Sequence, residues 1–305
     1  MGKSLITGLD INPQTINAVV LKPDHDTLSL VGYHQIKTDT DIFTENHRLN
    51  YQKIVKKLKE LRKVLPLFSR KVCLYLPDEF VISKKLQIDR EFQGEECEFA
   101  LIQAFSLRSP VPVDELYFDF VALPDKPGEF QVYAARKSCI ENRMSSCQKA
   151  GFDPVVINAF SDNLIRVWRW ATAQQSLTDW ALVDITEAGL TICFVFPQQE
   201  VFFREIHHDD LEHQEGLHVA VETLQHHIHL LNSMHCSPLS GLWLSGEKRR
   251  RDRFIDEWHK RSLLPVRMLS LLELFPHGLK SPAWDGAEFI RATGLALSGV
   301  AWLER

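Results

Sequence analysis

Apolar positions along this chain recur with two periods, roughly 2 and roughly 3.6 residues, and the alternation between them lays out strands and helices in turn. Residues 5 to 22, LITGLDINPQTINAVVLK, hold two apolar runs hinged on Asn12, Pro13, Gln14 and Thr15: a strand, a turn and a second strand. LSLVGYHQI, 28 to 36, predicts a third strand. From Asn46 to Leu65 the spacing of Leu49, Ile54, Leu58, Leu61 and Leu65 becomes that of an amphipathic helix with a basic outer face. KVCLYLP (71–77) and VISKKLQI (81–88) read as strands and GEECEFALIQAF (94–105) as a helix. ELYFDFVAL (115–123) and EFQVYAARK (129–137) form a strand pair around the turn PDKPGE, so that residues 80 to 137 predict an inserted α+β unit. The helix SCIENRMSSCQKAG (138–151) stops on Gly151, DPVVIN (153–158) is a short strand, and Leu164, Val167, Trp168 and Ala171 mark a helix that closes the first half. TAQQSLTD, 172 to 179, is the one soft linker.

The second half opens as the first does. With Asp10 laid over Asp184, LDINPQTINAVVL matches VDITEAGLTICFVF: apolar strand, Asp, Ile, turn, then Asn17 or Thr191 seven residues after the Asp, and a second apolar strand. Two such units face to face put two carboxylates and two small polar turns on opposite walls of a cleft. Turn N–H groups can hold phosphate oxygens, while a carboxylate, which repels phosphate, holds a hydrated Mg²⁺. Taken singly, either Asp also reads as a strand-end residue closing an Asx-turn on its own backbone. The repetition favours the cleft.

Composition narrows the classes. At 305 residues and 45% hydrophobic, the chain can bury a large core, and its length allows two domains. A net charge of −5 gives no global basic field for nucleic acid or anionic lipid, so any such contact must be local. The six cysteines, Cys73, Cys97, Cys139, Cys147, Cys193 and Cys236, have no C-x-x-C spacing and several lie in apolar runs, which suits reduced, buried thiols. MGKSLITG has no signal-peptide core, Ile6 breaks the myristoylation pattern, and no apolar stretch is long enough to span a bilayer. The expectation is a cytoplasmic protein.

Two charged stretches carry candidate chemistry. Eight histidines fall between 207 and 235, and His226 with His229 shares a helix face that could bind a metal together with His235 or Cys236. Val221, Leu224, Ile228 and Leu231 recur there at helical spacing, and the tight patterns of metal sites are missing; the reading is an ordinary helix with no metal. EKRRRDRFIDEWHKR, 247 to 261, reads as a helix with Phe254 and Trp258 inward and its cations in water, rather than as a site for lipid or DNA.

The duplicated Asp turns, LWLSG at 242 to 246 and the closing GAEFIRATGLALSG at 286 to 299, in that order, resemble the duplicated α/β actin-like fold of actin, Hsp70 chaperones and sugar kinases. With GLDI, KAGFDPVVIN and VFFREI in their places, the chain resembles more closely the PilM family of type IV pilus assembly, over nearly its whole length. Its length and degeneracy are similar to those of the gammaproteobacterial HofM and ComA relatives, linked to DNA uptake or to DNA as a nutrient. The resemblance implies a first domain at 1–79 and 151–176, an FtsA/PilM-like inserted subdomain at 80–150, and a second domain at 177–305 whose helix at about 286–302 returns to the first. It implies an ATP-binding cleft at Asp10, Asn12, Gln14, Asn17, Asp184, Thr186, Thr191, Ser245, Gly246 and Glu247. It further implies a groove near Phe80, Val81 and Ile82 for the cytoplasmic N-terminal peptide of a PilN/HofN-like inner-membrane protein, which holds the chain at that membrane without direct contact to DNA.

The chain departs from the family pattern at three turns. Pro13 has no N–H to give a phosphate, Thr186 brings a branched side chain where the family has Gly, and Glu247 replaces a second Gly beside the adenine position. The expectation is therefore a scaffold with a degenerate nucleotide cleft, ATP and Mg²⁺ being the cofactors at issue, and no catalytic residue. Two alternatives stay open: an active actin-like ATPase, and a small-molecule kinase with Asp119 as its base.

Overall fold

The computed structural model describes residues 4–24, 27–38, 42, 50–123, 126–208, 211–234, 238–279 and 285–304. The opening apolar runs form β1 (Ile6–Ile11), β2 (Thr15–Asp24) and β3 (Thr27–Lys37), an antiparallel meander. Helix α1 (Tyr51–Val64) is capped by the Asn50 side chain, which accepts the Lys53 N–H, and it buries Ile54, Val55, Leu58 and Leu61. The expected helix start at Asn46 lies outside the described residues. β4 (Lys71–Leu76) then pairs with β1 in parallel.

A short 3₁₀ turn at Asp78–Phe80 leads into the inserted unit: β5 (Val81–Gln87), α2 (Gly94–Ser106), β6 (Leu116–Ala122) and β7 (Glu129–Arg136). Its sheet, in the order β5-β7-β6, is antiparallel and covers a small core of Leu86, Leu101, Phe105, Leu116 and Val132. The chain returns through α3 (Lys137–Lys149), β8 (Asp153–Ala159), which pairs with β4, and α4 (Phe160–Gln175). Helix α4 runs through the first half of the segment that reads as a linker. Buried Ala171 continues its apolar face, Gln175 Oε1 accepts the Trp243 Nε1–H at 3.2 Å, and only Ser176, with φ 55°, turns the chain out. Polar side chains made these residues look loose, but Gln175 fastens α4 to Trp243 of the second half.

The second half repeats the plan with β9 (Trp180–Ile185), β10 (Gly189–Val195), β11 (Val201–His207), α5 (Gln214–Met234), β12 (Gly241–Gly246), α6 (Lys248–His259) and β13 (Val266–Met268). The two large sheets have the same order, β3-β2-β1-β4-β8 and β11-β10-β9-β12-β13. The repeat holds at single-residue register, since Asp10 pairs with Asn17 and Asp184 with Thr191. β1 and β9 are buried at every position, as inner strands covered on both faces must be. After the short α7 (Leu271–Leu274), α8 (Ile290–Leu303) lies on the first sheet and on α4. It lies so close to β1 that a Cβ on Gly8 would sit 1.9 Å from the Ala292 carbonyl oxygen. Cys73, Cys97, Cys139, Cys147 and Cys193 are buried free thiols.

Candidate functional site

Each Asp is the next-to-last residue of an inner strand, at the same end of its sheet. The carboxylates therefore meet across a cleft of about 450 Å³. It is lined by Asp10, Asn12, Gln14, Asn17, Asp184, Thr186, Gly246 and Glu247, all predicted from the sequence. Of the other two, Ser245 lies buried beneath the cleft and donates its Oγ–H to Asp184 Oδ1 at 2.6 Å. Thr191 is buried opposite Asp184 in the β9–β10 ladder and borders a smaller cavity beyond Arg291.

The residue that decides the electrostatics was not predicted. Arg291, at the start of α8, donates from Nε to Asp184 Oδ2 at 2.6 Å and lies 4.8 Å from the centre of the Phe160 ring. Burial alone would make this guanidinium easier to deprotonate; the Asp184 and Asp10 carboxylates more than reverse that and hold the proton more firmly than usual. Asp10 is different. Burial pushes its carboxyl up, the nearby Arg291 pulls it partly back, and the Asp184 charge pushes it up again, for a net rise. Its Oδ2 accepts from Asn12 Nδ2 at 3.3 Å and Asn17 Nδ2 at 3.4 Å, while Oδ1 is buried with no partner. Asn17 is itself held by Gln35, whose Nε2 donates to its Oδ1 at 2.9 Å. The signal for Arg291 was present in the sequence as the one cation in the apolar helix IRATGLALSGVAWL.

Both turns are closed on themselves. Asn12 N–H is given to the Thr15 carbonyl, and the Gln14 and Thr15 N–H groups go to Asn12 Oδ1, leaving Pro13 with nothing to donate. In the second turn Thr186 N–H goes to the Gly189 carbonyl and Ala188 N–H to Thr186 Oγ1. Gly246 has φ 113°, and a Cβ there would lie 2.2 Å from the Ile185 carbonyl oxygen; the next residue is Glu247, whose carboxylate takes an Arg250 N–H at 2.5 Å. Arg250 also reaches Gln14 Oε1 at 3.2 Å across the cleft mouth and lies 3.8 Å from Glu187.

A magnesium nucleotide does not fit these residues as the resemblance implied. Both Asp184 oxygens are committed, a guanidinium supplies the positive charge that a metal would bring, the N–H groups of Asn12, Gln14, Thr15, Thr186 and Ala188 are spent within the turns, and two glutamates stand at the mouth. The unpartnered Asp10 Oδ1 is the one feature that suits a cation or its water.

The remaining candidates fall elsewhere. Asp119 is exposed on β6, accepts the Phe120 N–H at 2.9 Å and does not line the cleft, so it is no base for a substrate held there. The cations at 248 to 253 are spent within the chain: buried Arg251 grips Asp285 at 3.0 and 3.2 Å, Lys248 pairs with Asp252, and Phe254 stacks on Trp258. His218 joins Glu257 and Glu222. Among the described residues no three His, Cys, Asp or Glu side chains are grouped to hold a metal, and His235 and Cys236 lie outside those residues. Phe80 and Val81 pack half-buried against Leu76, Ala135 and Cys139 at the joint between the first sheet and the inserted unit. Ile82 faces the small core of that unit instead. No helix of the described residues is long and apolar enough to cross a membrane.

Comparison with known proteins places this geometry. No curated protein matches the chain by sequence. Among solved structures, the chain is similar to a PilM-PilN type IV pilus biogenesis complex, with a TM-score of 0.72, 17% identity and 98% of each chain covered. It is also similar to a Bacteroides thetaiotaomicron protein described as having an actin-like ATPase fold and unknown function, with a TM-score of 0.51, 10% identity, and 97% of this chain and 96% of that one covered. The duplicated sheets are thus those of the actin-like ATPase fold. The family described as type IV pilus assembly protein PilM matches residues 8–213, more than half of the chain and both Asp turns, and the chain therefore belongs to the PilM family of type IV pilus assembly proteins.

Proposed function

We propose that this chain is a PilM-like scaffold that binds the cytoplasmic N-terminal peptide of a PilN/HofN-like inner-membrane protein and works without a nucleotide. The observation that carries the second part is the Arg291 guanidinium seated on Asp184 at the floor of the cleft. The first part is supported by the likeness to a structure described as a PilM-PilN complex. It is also supported by β5, which pairs with β7 along one edge and has no strand on the other among the described residues. An extended peptide adding to that edge would gain backbone hydrogen bonds, with Phe80 and Val81 beside it for side-chain contact. The partner then keeps the chain at the inner membrane. Within the family, the altered turns at Pro13, Thr186 and Glu247 support a place beside the HofM and ComA relatives, in a system for taking up or consuming DNA that this chain does not itself touch.

Fluorescence titration of a labelled partner peptide tests the groove. Phe80→Asp with Val81→Asp is expected to weaken binding at least about tenfold, the loss of two apolar contacts, with an unchanged far-ultraviolet spectrum. Unchanged affinity removes both residues from the groove. The second reading, an ATP-binding protein whose nucleotide state sets partner affinity, rests on the orphaned Asp10 Oδ1.

A further inference from the structure

The charge of this chain is unevenly placed. Between residues 51 and 71 eight lysines and arginines accompany a single acid, Glu60, in a protein whose net charge is −5. The apolar side of α1 is buried, so Lys56, Lys59 and Lys63 stand exposed on its outer side, with exposed Arg70 beyond its C-terminal end. The turn that follows α1 carries two large apolar side chains with no cover, Leu67 at 80% exposure and Phe68 at 83%. A loose loop would fold such residues away, but this one is fixed. Arg62 donates to the Pro66 and Leu67 carbonyls at 3.4 and 2.6 Å, and Ser69 returns its N–H and its Oγ–H to the Pro66 carbonyl. Nearby, Trp302, at the far end of α8, is partly exposed with the Lys71 ammonium 5.3 Å from its ring centre. Lys71 pairs with Ile6 at the start of β1, whereas Asp10 lies near the end of β1; this corner is thus at the opposite end of the sheet from the cleft.

We propose that this corner is a peripheral docking surface for an anionic lipid bilayer, with Leu67 and Phe68 entering the headgroup boundary and the α1 lysines and Arg70 lying on the negative surface. The charge match calls for an anionic partner. The rigid Leu-Phe tip, with a Trp at its rim, selects a partner with an apolar layer beneath its charges, which a nucleic-acid duplex does not have. Each cation near such a surface contributes about a fivefold gain in affinity, and a few cations with a small apolar insertion give reversible binding. The surface is separate from the Phe80–Val81 joint, so peptide binding and vesicle binding fail independently.

Flotation of the full chain with vesicles tests this. At low salt the chain is expected to rise with vesicles of phosphatidylcholine and phosphatidylglycerol in a three to one ratio, to stay behind with pure phosphatidylcholine, and to be released as salt rises. Lys56→Glu, Lys59→Glu and Lys63→Glu together are expected to cut binding more than about a hundredfold, at about fivefold or more per cation. Leu67→Ser with Phe68→Ser changes two side chains that support nothing in the fold and is expected to cut it about tenfold. Three results overturn the proposal: no binding of the folded chain to the anionic vesicles, unchanged binding by the Leu67–Phe68 variant, or a short DNA duplex bound more tightly than the vesicles.

Discussion

Arg291 shows what one side chain does to an inherited site. Asp184 is buried, and a buried carboxylate needs a counter-charge and hydrogen bonds; it finds both in Arg291 and Ser245. Removing the guanidinium leaves that charge facing Asp10. Arg291→Ala is expected to lower the unfolding free energy by about 3 kcal/mol, the low end for breaking a buried ion pair, read from urea midpoints. Arg291→Lys should lose less, because the charge remains while the two-pronged hold is lost. In the alanine variant, millimolar Mg²⁺ is expected to raise the melting temperature, with no effect on the parent chain. A loss below about 1 kcal/mol, the worth of a surface pair, would show that Arg291 is not the cleft's counter-ion. The carboxylates were legible in the sequence because both stand at matching strand ends. Arg291 was not, because a lone cation in an apolar helix says that it has a partner but not which one.

At the scale of elements, the continuous apolar runs and the repeated Asp turns exposed the inner strands, and their register agrees residue by residue. Strand β13, with three residues, and helix α7, with four, are too short to show a period and went unread. The continuation of α4 was hidden by polar residues whose partners, Trp243 among them, are distant in sequence. The seating of α8 on β1 depends on a missing side chain. At Gly8 the nearest obstacle is the backbone of Ala292, which cannot rotate away. Gly8→Ala is therefore expected to cost about 3 kcal/mol, the upper end for overpacking, measured by urea denaturation. A cost near zero would mean that α8 is not held against β1.

Across the whole molecule, groups of the chain itself tie the two halves together at the cleft and beside it. Helix α8 of the second half lies on β1, Arg250 reaches Gln14, Asn17 Nδ2 donates to the Glu288 carbonyl at 3.3 Å, and Trp170 Nε1 donates to the Leu274 carbonyl at 3.1 Å. In the proposed reading the cleft carries its own cation, Arg291, in place of a ligand, and the peptide groove lies at the joint with the inserted unit. The most direct test of this account is calorimetric titration of the full chain with ATP and Mg²⁺, followed by the partner peptide with and without the nucleotide. The account predicts no nucleotide binding at millimolar concentration and the same peptide affinity in both arms. Micromolar ATP binding, or a peptide affinity that changes with ATP, would contradict it.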